Sequence, residues 1–198
     1  MDYKFTKEWD WFSSNIPIWE RILVPYFKDQ PINAIELGSF EGRASIWLLD
    51  NVLTHKESTI DVVDLWPEEA KMQLAGKMVK MPWKTIRENC EYNLSLHGEK
   101  ARVHEEDSAT YLKYRTKKTD LIYIDAGHKS HEVLVDVVLA HLLLRPGGII
   151  IFDDYMWAQL ESHPDTAKPA IDAFMECFAR LYQLRSIGYQ VILQKNMI

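Results

Sequence analysis

The sequence has little cysteine and no long apolar run, and these absences exclude several classes of protein. Its two cysteines, Cys90 and Cys177, are too few and too far apart in 198 residues for a disulfide framework or a zinc site. No apolar stretch approaches the roughly 20 residues needed to cross a bilayer. Residues 1–11 carry five charges where a signal peptide would be apolar. We therefore expect a cytoplasmic protein with reduced thiols, neither secreted nor membrane-spanning.

An excess of positive charge is also lacking. Lysine and arginine number 23 against 29 acidic residues, and the net charge is -6. Such a chain is repelled by phosphate backbones and by anionic lipid. The basic segment 113–118 is the local exception, and we interpret it as a solvated loop. We therefore expect no nucleic-acid or membrane partner.

Hydrophobic runs and their punctuation predict a single α/β domain over residues 1–198. The predicted strands are Ile32–Leu37, Ser58–Val63, Ala101–His104, Asp120–Ile124, Gly148–Phe152 and Tyr189–Gln194. Helical spacing occupies Arg43–Leu53, Trp83–Leu96, Ser130–Leu144 and Lys168–Leu181. This alternation indicates a doubly wound, Rossmann-like parallel sheet, in which ligands bind outside the carboxyl ends of the strands.

Two regions fall outside the alternation. Residues 1–30 are rich in aromatic side chains and are predicted to form an N-terminal helical cap. Residues 66–83 contain three methionines among lysines and directly follow a strand. Their apolar side chains either pack on the sheet or, in residues 66–83, form a lid over the ligand side.

The first predicted strand ends in a glycine turn. Gly38 and Gly42 lie four residues apart where a strand passes into a helix, so the backbone can approach a ligand and present amides to it. A dinucleotide fingerprint requires G-x-G-x-x-G, and Phe40 stands at the middle glycine. The turn therefore disfavours an NAD-dependent oxidoreductase, which stays as a lesser alternative.

Polar residues follow the second and third strands. Asp64 can accept hydrogen bonds from both hydroxyls of a ribose. Asp107 and Ser108 could bind an adenine amino group, or equally could cap a helix.

Acidic residues follow the fourth and fifth strands, which are predicted to be neighbours. Asp125, Asp153 and Asp154 would then crowd into one volume, where they repel one another unless protonated or bound to a cation. A hard divalent ion such as Mg²⁺ satisfies them. His128, in the loop after Asp125, can serve as a general base, whereas His131 reads as an ordinary first-turn residue.

These motifs resemble the class I S-adenosylmethionine-dependent methyltransferases, within the group typed by cephalosporin and macrolide-sugar O-methyltransferases. The resemblance covers about residues 32–195. Its specific matches are Glu36–Gly42, Asp120–His131, Leu144–Gly148, Phe152–Tyr155, Lys168–Phe174 and Tyr189–Ile192.

The resemblance implies a seven-stranded, mostly parallel sheet whose last strand is antiparallel. It also implies an S-adenosylmethionine site and a Mg²⁺ site with a histidine base. The implied cofactor residues are Glu36, Gly38, Ser39, Gly42, Asp64, Asp107, Ser108 and Asp125. The implied metal ligands are Asp125, Asp153 and Asp154, and the implied catalytic residues are His128 and Asp125.

The activity implied is metal-assisted O-methylation of a small hydroxylated molecule. The segment 124–127 lacks the Asn/Asp-Pro-Pro-aromatic motif of nucleic-acid amino-methyltransferases. Two alternatives keep the cofactor: a metal-independent enzyme that uses His128 alone, and a non-catalytic S-adenosylmethionine-binding module. Homo-oligomerisation is left open.

Overall fold

The computed structural model describes residues 1–74, 77–157 and 165–197, and it consists of a large central sheet with helices on both faces. The strands are β1 Asn33–Leu37, β2 Thr59–Asp64, β3 Lys71–Leu74, β4 Lys77–Lys80, β5 Ala101–Glu105, β6 Thr119–Ile124, β7 Leu144–Phe152, β8 Tyr182–Ile187 and β9 Val191–Lys195. The helices are α1 Ile16–Phe27, α2 Arg43–Asn51, α3 Trp83–Ser95, α4 Ser108–Tyr114, α5 Ser130–Leu143 and α6 Lys168–Cys177.

The seven-stranded sheet has the order β5-β2-β1-β6-β7-β9-β8. Strands β5, β2, β1, β6 and β7 are parallel, and β9 runs antiparallel to both β7 and β8. This topology confirms the expected doubly wound sheet with an antiparallel last strand. The carboxyl ends of β1, β2, β5, β6 and β7 share one edge, where the predicted site residues lie.

Apolar side chains on both faces of the sheet are buried, as the continuous hydrophobic runs predict. On β1, Ala34 packs into the core with α1, α2 and α3, whereas Ile35 packs into the core with α4, α5 and α6. Each fully buried aliphatic side chain contributes about 1.5–3 kcal/mol. The two cores hold the carboxyl ends of the strands in register.

The N-terminal segment packs on the sheet through α1. Trp19 is fully buried, and its ring makes an edge contact with Tyr123 of β6 at 5.0 Å between centroids. Trp11 is 46% exposed, so not every aromatic side chain of the N-terminal segment belongs to the hydrophobic core.

The segment 66–83 contains the strand pair β3 and β4, called the hairpin below, which the sequence did not predict. Strands β3 and β4 pair antiparallel, and the buried side chains Trp66, Met81 and Trp83 anchor the two ends of the segment. Met78 on β4 is 61% exposed. The core interpretation therefore holds for the ends of the segment, and the lid stays a prediction.

The helix predicted over Lys168–Leu181 ends earlier, at Cys177, because the chain turns at Phe178 before entering β8. Within the described ranges, no helix combines the length and apolar character that crossing a membrane requires.

Candidate active site

The glycine turn after β1 has the backbone geometry that its sequence predicts. Gly38 has φ +79°, and a Cβ atom there would lie 2.1 Å from the carbonyl oxygen of Asp125. Only glycine fits this approach of the β1 and β6 ends. Gly42, with φ +78°, is the N-cap of α2, and an added Cβ would meet the Cys90 sulfur at 3.1 Å. The Ser39 hydroxyl lies 3.6 Å from the same sulfur, and burial raises the pKa of the Cys90 thiol.

Glu36 lies on β1 just before this turn and is 1% exposed. Burial raises the pKa of its carboxyl to about 8, although the Ser45 hydroxyl donates a hydrogen bond that acts in the opposite direction. Burial therefore favours the protonated form of Glu36 in the folded protein.

Asp64, at the end of β2, accepts hydrogen bonds from the backbone around the turn. One carboxylate oxygen accepts from the amides of Ser39 at 2.8 Å and Phe40 at 2.9 Å, and the other accepts from the amide of Trp66 at 3.0 Å. Asp64 thus joins the glycine turn to the start of the hairpin segment. The oxygen bonded only to the Trp66 amide retains capacity to accept a further bond from a ligand, whereas the other already accepts two.

Asp107 and Ser108 lie at the start of α4. Asp107 is the N-cap, and its side chain accepts a bond from the Thr110 amide at 2.9 Å, so the capping interpretation is confirmed. The Ser108 hydroxyl donates to Asp136 of α5 at 2.8 Å. Asp136 is 1% exposed, and its other oxygen has no partner among the described residues. Burial raises the pKa of Asp136 to about 6.

Asp125 and Asp153 converge on the hydroxyl of Tyr123. That hydroxyl lies 3.0 Å from a carboxylate oxygen of Asp125 and in close contact with one of Asp153. Burial, followed by repulsion from Asp153 and Asp154, raises the pKa of Asp125 well above its usual range. Burial and Asp154 raise the pKa of Asp153 to about 6. The crowding of acids expected from the strand order is present.

Asp154 is paired with His128. Nδ1 of His128 lies 2.9 Å from one Asp154 oxygen, and the Tyr189 hydroxyl donates to the other at 2.7 Å. Burial acts to raise the pKa of Asp154, but the bonds from His128 and Tyr189 outweigh it and lower that pKa. Burial acts to lower the pKa of His128, but Asp154 outweighs it and raises that pKa.

Three residues of this region could hold a metal ion. One ligand atom from each of Asp125, His128 and Asp154 lies within 4.8 Å of the others. The expected set of Asp125, Asp153 and Asp154 differs from this group by one member: His128 belongs to the group, and Asp153, which accepts from Gln190, does not. Asp154 has φ +59°, so the strand has ended and the two adjacent acids take different directions. Two carboxylates and an imidazole fit a divalent cation, and the nitrogen donor admits transition metals as well as Mg²⁺.

Sequence reasoning missed a chain of polar contacts that supports the acids. The Trp19 indole donates to Gln190 at 2.7 Å, and the Gln190 amide donates to Asp153 at 3.1 Å. Residues 189–190 belong to one of the motifs that carried the family resemblance. For Trp19, nothing in the surrounding sequence distinguishes a hydrogen-bonding role toward Gln190 from ordinary core packing.

Comparison with known proteins shows which protein family the chain matches. A family model described as a methyltransferase domain matches residues 35–155, more than half of the chain. No curated protein matches the chain.

Solved structures share the fold. The O-methyltransferase TomG from Streptomyces achromogenes, involved in tomaymycin synthesis and solved with SAM, has a TM-score of 0.64 and 17% identity over 91% of this chain and 80% of that one. An O-methyltransferase from Bacillus cereus, solved with SAH, has a TM-score of 0.60 and 18% identity. The match covers 94% of this chain and 83% of that one. An rRNA methylase from Streptococcus thermophilus has a TM-score of 0.62 and 14% identity. The match covers 91% of this chain and 96% of that one. At these identities the similarity establishes the fold alone.

Proposed function

The chain belongs to the methyltransferase domain family that it matches over residues 35–155, and we propose that it transfers a methyl group from S-adenosylmethionine to a hydroxyl oxygen of a small molecule. The observation that carries the hydroxyl acceptor is the His128–Asp154 pair, with Nδ1 and Oδ2 2.9 Å apart, beside the two further acids. This arrangement supplies a base at the edge of the sheet where the glycine turn would hold the cofactor.

The glycine turn supports the cofactor assignment. Gly38 and Gly42 keep side chains out of the turn, and Asp64 fixes its amides. Glu36 is a buried carboxyl beside it that gains charge when a cationic group approaches, which suits the amino-acid end of S-adenosylmethionine. One Asp64 oxygen has spare acceptor capacity for a ribose hydroxyl.

The reaction requires removal of one proton. The acceptor oxygen attacks the sulfonium methyl carbon, the carbon–sulfur bond breaks, and S-adenosylhomocysteine leaves with the bonding electrons. In neutral His128, Nδ1–H donates to Asp154, so Nε2 can accept the hydroxyl proton. Asp154 selects this tautomer and orients the ring, and Tyr189 holds Asp154 in turn.

A divalent cation, if used, would be held by Asp125 and Asp154, and a His128 nitrogen that joined them as a ligand would no longer be free to act as the base. Bound there, it would lower the pKa of an acceptor hydroxyl. The residues therefore fit both a metal-assisted enzyme and one in which His128 acts without metal. In the metal-assisted case we expect Mg²⁺ or another divalent ion.

The first test is calorimetric titration with S-adenosylhomocysteine in Mg²⁺ and in EDTA, followed by assays of its formation from S-adenosylmethionine with hydroxylated acceptors. We expect binding in both buffers. Absence of binding in both buffers contradicts the proposed cofactor. Turnover that EDTA abolishes while binding persists indicates metal assistance, and turnover that survives EDTA indicates His128 alone.

The second test compares His128→Gln with His131→Gln, a histidine whose side chain is 73% exposed on the next helix. We expect His128→Gln to lower kcat at least about 100-fold, since general bases contribute about 10²–10⁴-fold. Affinity for S-adenosylhomocysteine should be unchanged, and His131→Gln should behave as the unmodified protein. Full turnover in His128→Gln would remove the base from the proposal.

A further inference from the structure

Glu41 is an acid of the glycine turn to which the proposed chemistry assigns no role. It directly precedes Gly42 at the start of α2, and it is only 1% exposed. A buried carboxylate is unfavourable unless other groups pair with it and bond to it. The partners of Glu41 therefore show which parts of the molecule it holds together.

Both side-chain oxygens of Glu41 bind the N-terminal segment. One accepts a hydrogen bond from the Thr6 amide at 2.8 Å. The other accepts from the Thr6 hydroxyl at 2.8 Å and from the Asn89 side-chain amide at 2.9 Å. Arg43 of α2 donates to the Thr6 carbonyl oxygen at 2.9 Å. Every polar group of Thr6 is thus bonded to a residue next to Gly42.

Asn93 of α3 provides a second attachment. Its fully buried side chain accepts a hydrogen bond from the Lys4 amide at 2.7 Å. The same side chain donates to the carbonyl oxygens of Lys4 at 2.9 Å and Glu41 at 3.0 Å. Residues 4–11, called the strap below, are therefore bonded both to the glycine turn and to α3.

Phe40, at the middle of the turn, has an unfavourable backbone conformation. Its φ is +52°, in the left-handed region that bulky side chains rarely adopt. Such a conformation persists only where the surrounding structure imposes it. The strap supplies part of that structure, because the Trp9 and Trp11 rings contact the Phe40 ring at 5.6 Å and 5.0 Å between centroids. Asp64 and Trp66 supply the rest by bonding the Phe40 amide and carbonyl oxygen.

Resting on the proposed methyltransferase function, we propose that the strap is part of the cofactor site and that Glu41 and Thr6 are its positioning residues. They act through the turn rather than on the reacting atoms. By holding the turn in the shape that receives S-adenosylmethionine, they spare the cofactor the work of imposing that shape when it binds. By thermodynamic linkage, a bound cofactor must in return hold the strap more firmly.

The first test measures S-adenosylhomocysteine affinity by calorimetry in two strap variants. Thr6→Val removes the hydroxyl at nearly unchanged volume, and Glu41→Gln places an amide nitrogen against the Thr6 donors. We expect each to weaken binding by at least about fivefold, the lower end of typical coupling between sites. Thr6→Ser keeps the hydroxyl and should restore the affinity, and Thr116→Val, at an exposed threonine, should leave it unchanged.

The second test uses the unmodified protein and measures the reciprocal effect. Hydrogen exchange of the Lys4 and Thr6 amides is followed by NMR with and without saturating S-adenosylhomocysteine. We expect exchange at both amides to slow by at least about fivefold. The Leu181 amide, which is bonded to Phe178 in the turn before β8, is the control and should exchange at the same rate in both samples.

The outcomes separate this inference from the proposed function. Binding of S-adenosylhomocysteine that is unchanged in Thr6→Val and Glu41→Gln, or that leaves exchange in the strap unaltered, overturns the role of the strap alone. If Glu41→Gln fails to fold, Thr6→Val and the exchange measurement decide. Absence of binding to the unmodified protein refutes the proposed cofactor and this inference with it.

Discussion

Replacing Asp136 by asparagine tests whether the acid beneath Ser108 destabilises the fold when it ionises. Burial raises the pKa of Asp136 to about 6 from the usual 3.8. At 1.36 kcal/mol for each pH unit, this difference corresponds to about 3 kcal/mol. The folded protein binds this proton more tightly than the unfolded chain does. The free energy of unfolding therefore falls as pH rises from about 4 to about 6, and the full cost is present above that.

Asp136→Asn removes the ionisation and keeps an oxygen to accept the Ser108 bond. Its amide nitrogen takes the place of the unpartnered carboxylate oxygen, so the variant has a pH-independent cost of about 1–3 kcal/mol. The quantity that tests the reasoning is therefore how the difference in free energy of unfolding between variant and unmodified protein changes with pH. We expect the free energy of unfolding of the variant, relative to the unmodified protein, to rise by about 2 kcal/mol between pH 4 and pH 7.

Urea denaturation followed by circular dichroism at pH 4, 5, 6 and 7 measures this difference. Asp2→Asn, at an exposed aspartate, is the matched control and should show a small difference that is constant with pH. A constant difference for Asp136→Asn would refute the reasoning, because it would mean that the buried carboxyl titrates alike in the folded and unfolded chains.

Three further predictions concern the site. Gly38→Ala should lower the free energy of unfolding by more than about 3 kcal/mol, since its Cβ would lie 2.1 Å from a carbonyl oxygen. The control Gly98→Ala, also at positive φ but in open space, should lower it by about 1–2 kcal/mol. Equal losses in the two variants would contradict the predicted clash at Gly38. Asp64→Ala should weaken S-adenosylhomocysteine binding, measured by calorimetry, by about 1.5–3 kcal/mol. Asp125→Ala should abolish turnover with only a modest loss of that affinity; similar effects of both substitutions on binding and turnover would contradict this division of roles.

The sheet could be predicted from the sequence because its strands are buried on both faces and read as continuous apolar runs. Predicted and observed strand ends agree closely at Leu37, Ile124 and Phe152, where an abrupt change to glycine or aspartate marks the edge. The hairpin of β3 and β4 escaped prediction because all four side chains of β4 are exposed, so burial imposes no alternating pattern on that strand.

The candidate site was predictable only in part. The acids at the strand ends can be recognised in the sequence. The structure groups Asp125 and Asp154 with His128, and it places Asp153 beside Asp125 on the Tyr123 hydroxyl. The pairing of His128 with Asp154 rather than a shared set of three acids depends on the left-handed backbone at Asp154. The bond from Trp19 to Gln190 joins residues 171 positions apart, and no local spacing encodes it.

The position of Cys90 under the glycine turn has a consequence for thiol chemistry. Its sulfur is buried against Ser39 and Gly42, whereas Cys177 lies exposed at the end of α6. An alkylating reagent reaches Cys177 in the folded protein, but it reaches Cys90 only when the packing around the turn opens. The ratio of the two alkylation rates, read by mass spectrometry from one sample, therefore gives the opening equilibrium of the proposed cofactor turn without any engineered label.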